Sequence, residues 1–170
     1  DKIYGNPKAW GGPVEANHSV KNNQPDLILV MLGTNDMRQG LWPSSGWGNP
    51  DKTVLTLYGK LIRAMHNDAP EAEIILSGIL RNTAGDIDPA HDWEKKDTDN
   101  NEPIAPRIEP FNKALKEMVE TLAREGIPIH WVNPHDAIPE DMLRDGIHPT
   151  GEGFKALGNT FYQGIVEITE

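Results

Sequence analysis

Cysteine is absent from the 170 residues. Its absence excludes a disulfide scaffold, a thiol nucleophile and thiolate metal sites. Positive charge is scarce too, with 16 Lys and Arg against 26 Asp and Glu and a formal charge of -10. No basic cluster offers the footprint that nucleic acid or an anionic membrane requires, so a neutral substrate or a protein partner is expected, with no nucleic acid and no membrane. Apolar runs are short, and none approaches the roughly 20 residues of a membrane-spanning helix. The chain opens on Asp1-Lys2 with neither an initiator Met nor a leader-like apolar stretch, so a processing or cloning boundary is expected there. A cysteine-free chain tolerates an oxidising compartment, and a secreted or periplasmic location is the expectation.

What is present is an ordinary globular mixture. A domain of about 150 residues buries roughly two-thirds of the surface its unfolded chain exposes, so residues 1–170 suffice for one core and read as a single domain. The opening 25 residues, with the turn signal Trp10-Gly11-Gly12-Pro13, specify little beyond a short helix near Val14 to Asn22. Asp26 to Leu32 then form a continuous apolar run, predicted to be a parallel strand covered on both faces. A Gly/Pro-rich loop over residues 40–50 carries Trp42 and Trp47, and Asn49 or Asp51 is placed to cap the helix that follows. Val54, Leu55, Tyr58, Leu61, Ile62 and Met65 recur at helical spacing.

A second strand is expected over Glu73 to Leu80, before a long polar stretch from Arg81 to Arg107 that reads as disorder, an insertion or a functional lid. Ile108, Phe111, Leu115, Met118, Val119 and Leu122 mark another helix, stopped by Gly126. The third strand spans Ile127 to Val132, and Phe154, Leu157, Phe161, Ile165 and Ile168 mark a final helix against the sheet. Strands alternating with helices predict a three-layer α/β domain with a parallel sheet and active groups beyond the carboxyl ends of its strands.

Two segments carry chemistry. Gly33-Thr34-Asn35-Asp36 ends the first strand, where the Asn35 amide either donates toward a ligand held over the sheet edge or closes an Asx turn. Asp145-Gly146-Ile147-His148-Pro149-Thr150 brings a carboxylate and an imidazole together before the last helix, as a cap, a surface ion pair, part of a metal site or a catalytic pair. For acyl transfer, imidazole serves as general base, Asp holds its tautomer, and an amide donor stabilises the oxyanion. His148, Asp145 and Asn35 are the residue types for those three roles.

Together the two segments resemble the GDSL-like lipase/esterase group, also called SGNH hydrolases, from about Asp26 through the final helix. The resemblance implies a flavodoxin-like α/β/α fold. It also implies ester hydrolysis through a serine-bound acyl intermediate, often deacetylation of a carbohydrate, with Asn35 in the oxyanion hole and Asp145 and His148 in the triad. No cofactor and no metal are expected, with metal dependence a secondary reading.

The departure from the family is at the start, where the strand ending in Gly-Asp-Ser has no counterpart. Ser19, Ser44, Ser45 and Ser77 all lack that context, and no nucleophile is assigned. The expectation is a fold lacking its first strand, incomplete at its N-terminal side, with the serine supplied by a complementary N-terminal segment or chain. Gly5, Gly11 and Gly12 carry no motif that separates an oxyanion role from turn formation. Trp42, Trp47 and Trp93 are candidates for a sugar-binding rim, with satellite packing the alternative. The acidic run Asp86 to Glu102 with His91, and the set His130, His135 and Asp136, read as solvated or structural rather than metal-binding. The leading expectation is an esterase acting on a small or carbohydrate O-acetyl ester, and its rival is a noncatalytic carbohydrate-binding or assembly domain of the same fold.

Overall fold

A computed structural model describes residues 19–38, 54–83 and 104–170. Three short strands, β1 (Leu27–Val30), β2 (Glu73–Ser77) and β3 (Ile129–Val132), form a parallel sheet in the order β1-β2-β3. The helices are α1 (Ser19–Asn23), α2 (Thr34–Arg38), α3 (Val54–Asp68), α4 (Ala105–Arg124) and α5 (Gly151–Thr169). All strands run the same way, so the segments leaving β1, β2 and β3 emerge at one edge of the sheet.

Alternation of side chains across the pleat sorts the strand residues between two helical layers. Ile74, Leu76, Ile129 and Val30 enter one core with Ile62 of α3 and Phe111, Leu115 and Leu122 of α4. The apolar stripe of α4 survives two prolines, because Pro106 occupies the first turn, where the missing N–H costs nothing, while Pro110 lies within the helix. On the opposite face, α5 settles on Ile75 and Val132 through Gly164, where a Cβ would come within 2.6 Å of Val132 Cγ1. The predicted three-layer α/β architecture with a parallel sheet is therefore what the described residues adopt.

Two expectations are corrected. The run Asp26 to Leu32 is not covered on both faces, because α5 packs over β2 and β3 and leaves Leu29 47% exposed at the sheet edge. Nor does the last helix bury the whole of its apolar stripe: Phe154 is 59% exposed, because the helix is seated by its glycines, Gly153 and Gly164, rather than by its aromatic rings. Among the described residues, β1 pairs only with β2.

Candidate active site

The segment leaving β1 is shaped by what packs beneath it. Gly33 adopts φ 124°, and a Cβ there would lie 2.7 and 2.9 Å from two ring atoms of Phe111. Both the backbone conformation and the space require glycine. The preceding residue, Leu32, donates its N–H to the hydroxyl of Tyr58 at 3.3 Å. Burial pushes the Tyr58 phenol well above its ordinary range; the Leu32 hydrogen bond opposes the rise and the nearby Asp36 carboxylate adds to it. The phenol therefore stays neutral.

The Gly33 carbonyl accepts from Met37 N–H at 2.9 Å and opens α2, so Asn35 sits in a short helix that follows the strand.

The second segment is a pinned hairpin. Leu143 and Pro149 form an antiparallel bridge, Arg144 N–H donates to His148 O at 2.8 Å, and Thr150 N–H donates to Met142 O at 2.8 Å. Between them, Asp145 Oδ1 accepts from the backbone N–H of Ile147 at 3.1 Å and of His148 at 2.8 Å, with Gly146 at φ 80° making the turn. Asp145 Oδ2 takes the His148 ring at Nδ1, 2.8 Å away.

Partial burial works against the Asp145 charge. The His148 N–H, the His148 ring and the Ile147 N–H outweigh it and hold the carboxyl down to about 2. Thr150 then caps α5, accepting from Gly153 N–H at 3.2 Å. A carboxylate that is fixed, ionised and bonded to Nδ1 leaves Nε2 as the working nitrogen of a ring that is 62% exposed.

Asn35 and His148 line the same cleft of about 290 Å³, together with Thr34, Arg81 and the apolar side chains Met31, Leu80 and Phe154. The Asn35 amide, the His148 imidazole and the carboxylate bonded to it are thus brought to one place from distant parts of the chain. The cleft lies beyond the carboxyl end of the sheet, where open α/β sheets bind ligands.

A second His–carboxylate pair exists. His135 Nδ1 lies 3.1 Å from Asp136 Oδ1, but this ring is only 9% exposed while its partner is 86% exposed, and neither lines the cleft with Asn35. His130 pairs with Glu73 at 2.7 Å. Among the described residues no three His, Asp or Glu side chains gather as a metal site. Ser77 is fully buried and donates its hydroxyl to the Gly78 carbonyl at 2.7 Å. Trp42, Trp47, Trp93, Ser44, Ser45, His91, Gly5, Gly11 and Gly12 lie outside the described residues.

The supports of the site do not show in the sequence. Asn112 of α4 accepts from Ile79 N–H at 2.8 Å and donates to Ile79 O at 2.9 Å, holding the chain as it leaves β2. Arg81 reads in the sequence only as the start of a polar stretch. Its one signal there is a cation placed just past the carboxyl end of an apolar strand.

The GDSL-like Lipase/Acylhydrolase family model matches residues 6–156. No curated protein matches the sequence. Among solved structures, the chain is similar to an acetyl esterase, a serine-to-alanine mutant with acetate ion, at 22% identity and a TM-score of 0.65, covering 99% of this chain and 68% of that one. It is similar to a carbohydrate esterase family 3 protein from Talaromyces cellulolyticus at 22% identity and a TM-score of 0.64, again covering 99% and 68%. It is also similar to a putative acylhydrolase from Bacteroides fragilis at 17% identity and a TM-score of 0.62, covering 94% and 73%. These likenesses agree on the fold, and the family match spans both the Asn35 segment and the hairpin up to the start of α5: the chain belongs to the GDSL-like Lipase/Acylhydrolase family.

Proposed function

We propose that the chain carries the base, the orienting carboxylate and an oxyanion donor of a serine esterase that removes a small acyl group, O-acetyl first, from a carbohydrate. The observation that carries this reading is the Asp145–His148 bond at Nδ1, with the imidazole in one cleft with Asn35. A Ser Oγ attacks the ester carbonyl carbon as its proton passes to His148 Nε2, and Asp145 balances the imidazolium. Asn35 donates to the oxyanion. Collapse breaks the bond to the sugar oxygen, which leaves with the proton from His148. Water then repeats the sequence on the acyl-serine, and carboxylate and free serine result.

The serine, in this reading, comes from a segment outside these 170 residues that carries Gly-Asp-Ser and docks along the β1 edge that is unpaired among the described residues. Support comes from the exposed apolar side chains Leu29, Met31, Phe154 and Tyr162, of which Met31 and Phe154 also wall the cleft. About a third of each of the two acetyl- and carbohydrate-esterase structures has no counterpart here, since the match covers 68% of each. The substrate class follows the printed activities of the similar structures, which include an acetylxylan esterase from Geobacillus stearothermophilus.

The test is turnover of acetylated xylo-oligosaccharides and short-acyl 4-nitrophenyl esters by the longest natural form of the protein. Turnover that is blocked by a serine-directed phosphonate is expected. Its absence across the panel overturns the reading and favours a noncatalytic carbohydrate-binding domain.

A further inference from the structure

Among the described residues, Arg81 is the one Lys or Arg that lines the cleft, and it also borders a neighbouring cavity of about 310 Å³ with Glu109 and His135. Arg81 follows β2 by four residues and is half-buried. Its Nε donates to Ile138 O at 3.1 Å and one Nη2 N–H donates to His135 O at 3.0 Å. Those two contacts use the side edge of the guanidinium and tether the turn after β3. The end-on fork, Nη1 with the second N–H of Nη2, makes no hydrogen bond among the described residues. Nor does any carboxylate among them form an ion pair with Arg81, although the chain carries an excess of acidic groups.

A guanidinium taken partly out of water and bonded only to neutral carbonyls keeps its full charge, and apolar walls strengthen that charge's field. The walls here are Met31, Leu80 and Phe154, and the same cleft contains Asn35 and His148. A rigid fork of this kind matches a carboxylate with two parallel hydrogen bonds.

We infer that Arg81 is a substrate-recognition residue that binds a carboxylate on the alcohol side of the ester, making esters of uronic acid residues the preferred substrates. This rests on the esterase reading for its cleft. The carboxylate orients the sugar so that a neighbouring acylated hydroxyl presents its carbonyl between His148 and Asn35. The tether to His135 and Ile138 serves preorganisation, because it fixes the guanidinium before the ligand arrives.

The released acid is itself a carboxylate, so the test separates the two sources. Binding of glucuronate, glucose and acetate to the protein is followed by amide and Arg Nε–H chemical shifts. Glucuronate is expected to bind about tenfold more tightly than glucose and more tightly than acetate, to shift the Arg81 Nε–H resonance, and to weaken several-fold when salt is raised from low to roughly molar ionic strength. R81Q is expected to abolish the preference, with R81K restoring part of it. Equal binding of glucose and glucuronate, or a preference retained in a folded R81Q, overturns the inference. Acetate binding as tightly as glucuronate overturns the alcohol-side assignment and places the charge on the departing acid. The three-probe comparison and the salt dependence use the wild-type protein, so they decide the matter even where R81Q fails to fold. Because binding is read without turnover, a failure here is distinct from a failure of the esterase reading, which shows as missing serine-dependent hydrolysis.

Discussion

Asp145 performs two jobs with two oxygens. One closes the turn by accepting from Ile147 and His148 N–H, and the other holds the His148 ring at Nδ1. Replacing it by Asn keeps most of the turn but removes the charge that selects the tautomer, so D145N is expected to lose roughly 10⁴-fold in kcat of the complete enzyme with little change in KM. The carboxyl is held down to about 2 against an ordinary value of 3.8, so its contribution to stability is fully present above about pH 4 and disappears as pH falls through about 2. Melting temperatures of wild type and D145N are therefore expected to differ at pH 6 and to converge near pH 2. The same group stays ionised through mild acid.

Asp145 and His148 are legible in the sequence because their geometry is local, three residues apart in one turn. Arg81 is not, because its partners are backbone carbonyls 54 and 57 positions away, which no side-chain pattern records.

The elements place these residues by packing. Gly33 is where β1 turns into α2, and its position over Phe111 ties the Asn35 segment to α4. G33A is expected to destabilise the fold by about 2–4 kcal/mol, measured by denaturant unfolding, from a strained φ and a steric clash together. Adding F111L relieves the clash but not the backbone strain, so the double variant is expected to recover only part of the loss. The strands and the three long helices can be read from apolar runs and helical periodicity, since each carries an apolar run or stripe turned at least in part to the core. Helix α2 cannot: it is five residues long and forms because Gly33 O is positioned to accept from Met37, a consequence of tertiary placement rather than propensity. The exposure of Phe154 escapes the sequence for a related reason. Periodicity shows that a helix has an apolar stripe, but not how wide the sheet is beneath it.

Across the whole molecule, under the proposed function, the β1 edge that is unpaired among the described residues and the need for a serine nucleophile call for the same neighbour. A strand edge unpaired among the described residues, beside exposed Leu29 and Met31, is a surface that proteins ordinarily cover. Under the proposed function the cover is the segment that carries the nucleophile, so folding and catalysis are completed together. Hydrogen exchange offers a check: amides of β1 that face away from β2 are expected to exchange rapidly in the 170-residue chain and to gain protection in a form that carries the proposed segment. Equal protection in both would show that no strand is added there.

The proposed esterase stands or falls with His148, rather than the more buried His135, as its general base. Comparing H148N and H135N in the longest natural form of the protein tests this most directly, with serine-dependent ester turnover read beside the melting temperature. H148N is expected to lower kcat by at least about 10³-fold with an unchanged melting temperature, while H135N retains kcat within a few-fold in whatever fraction remains folded. Turnover surviving in H148N and lost in a folded H135N would contradict the assignment.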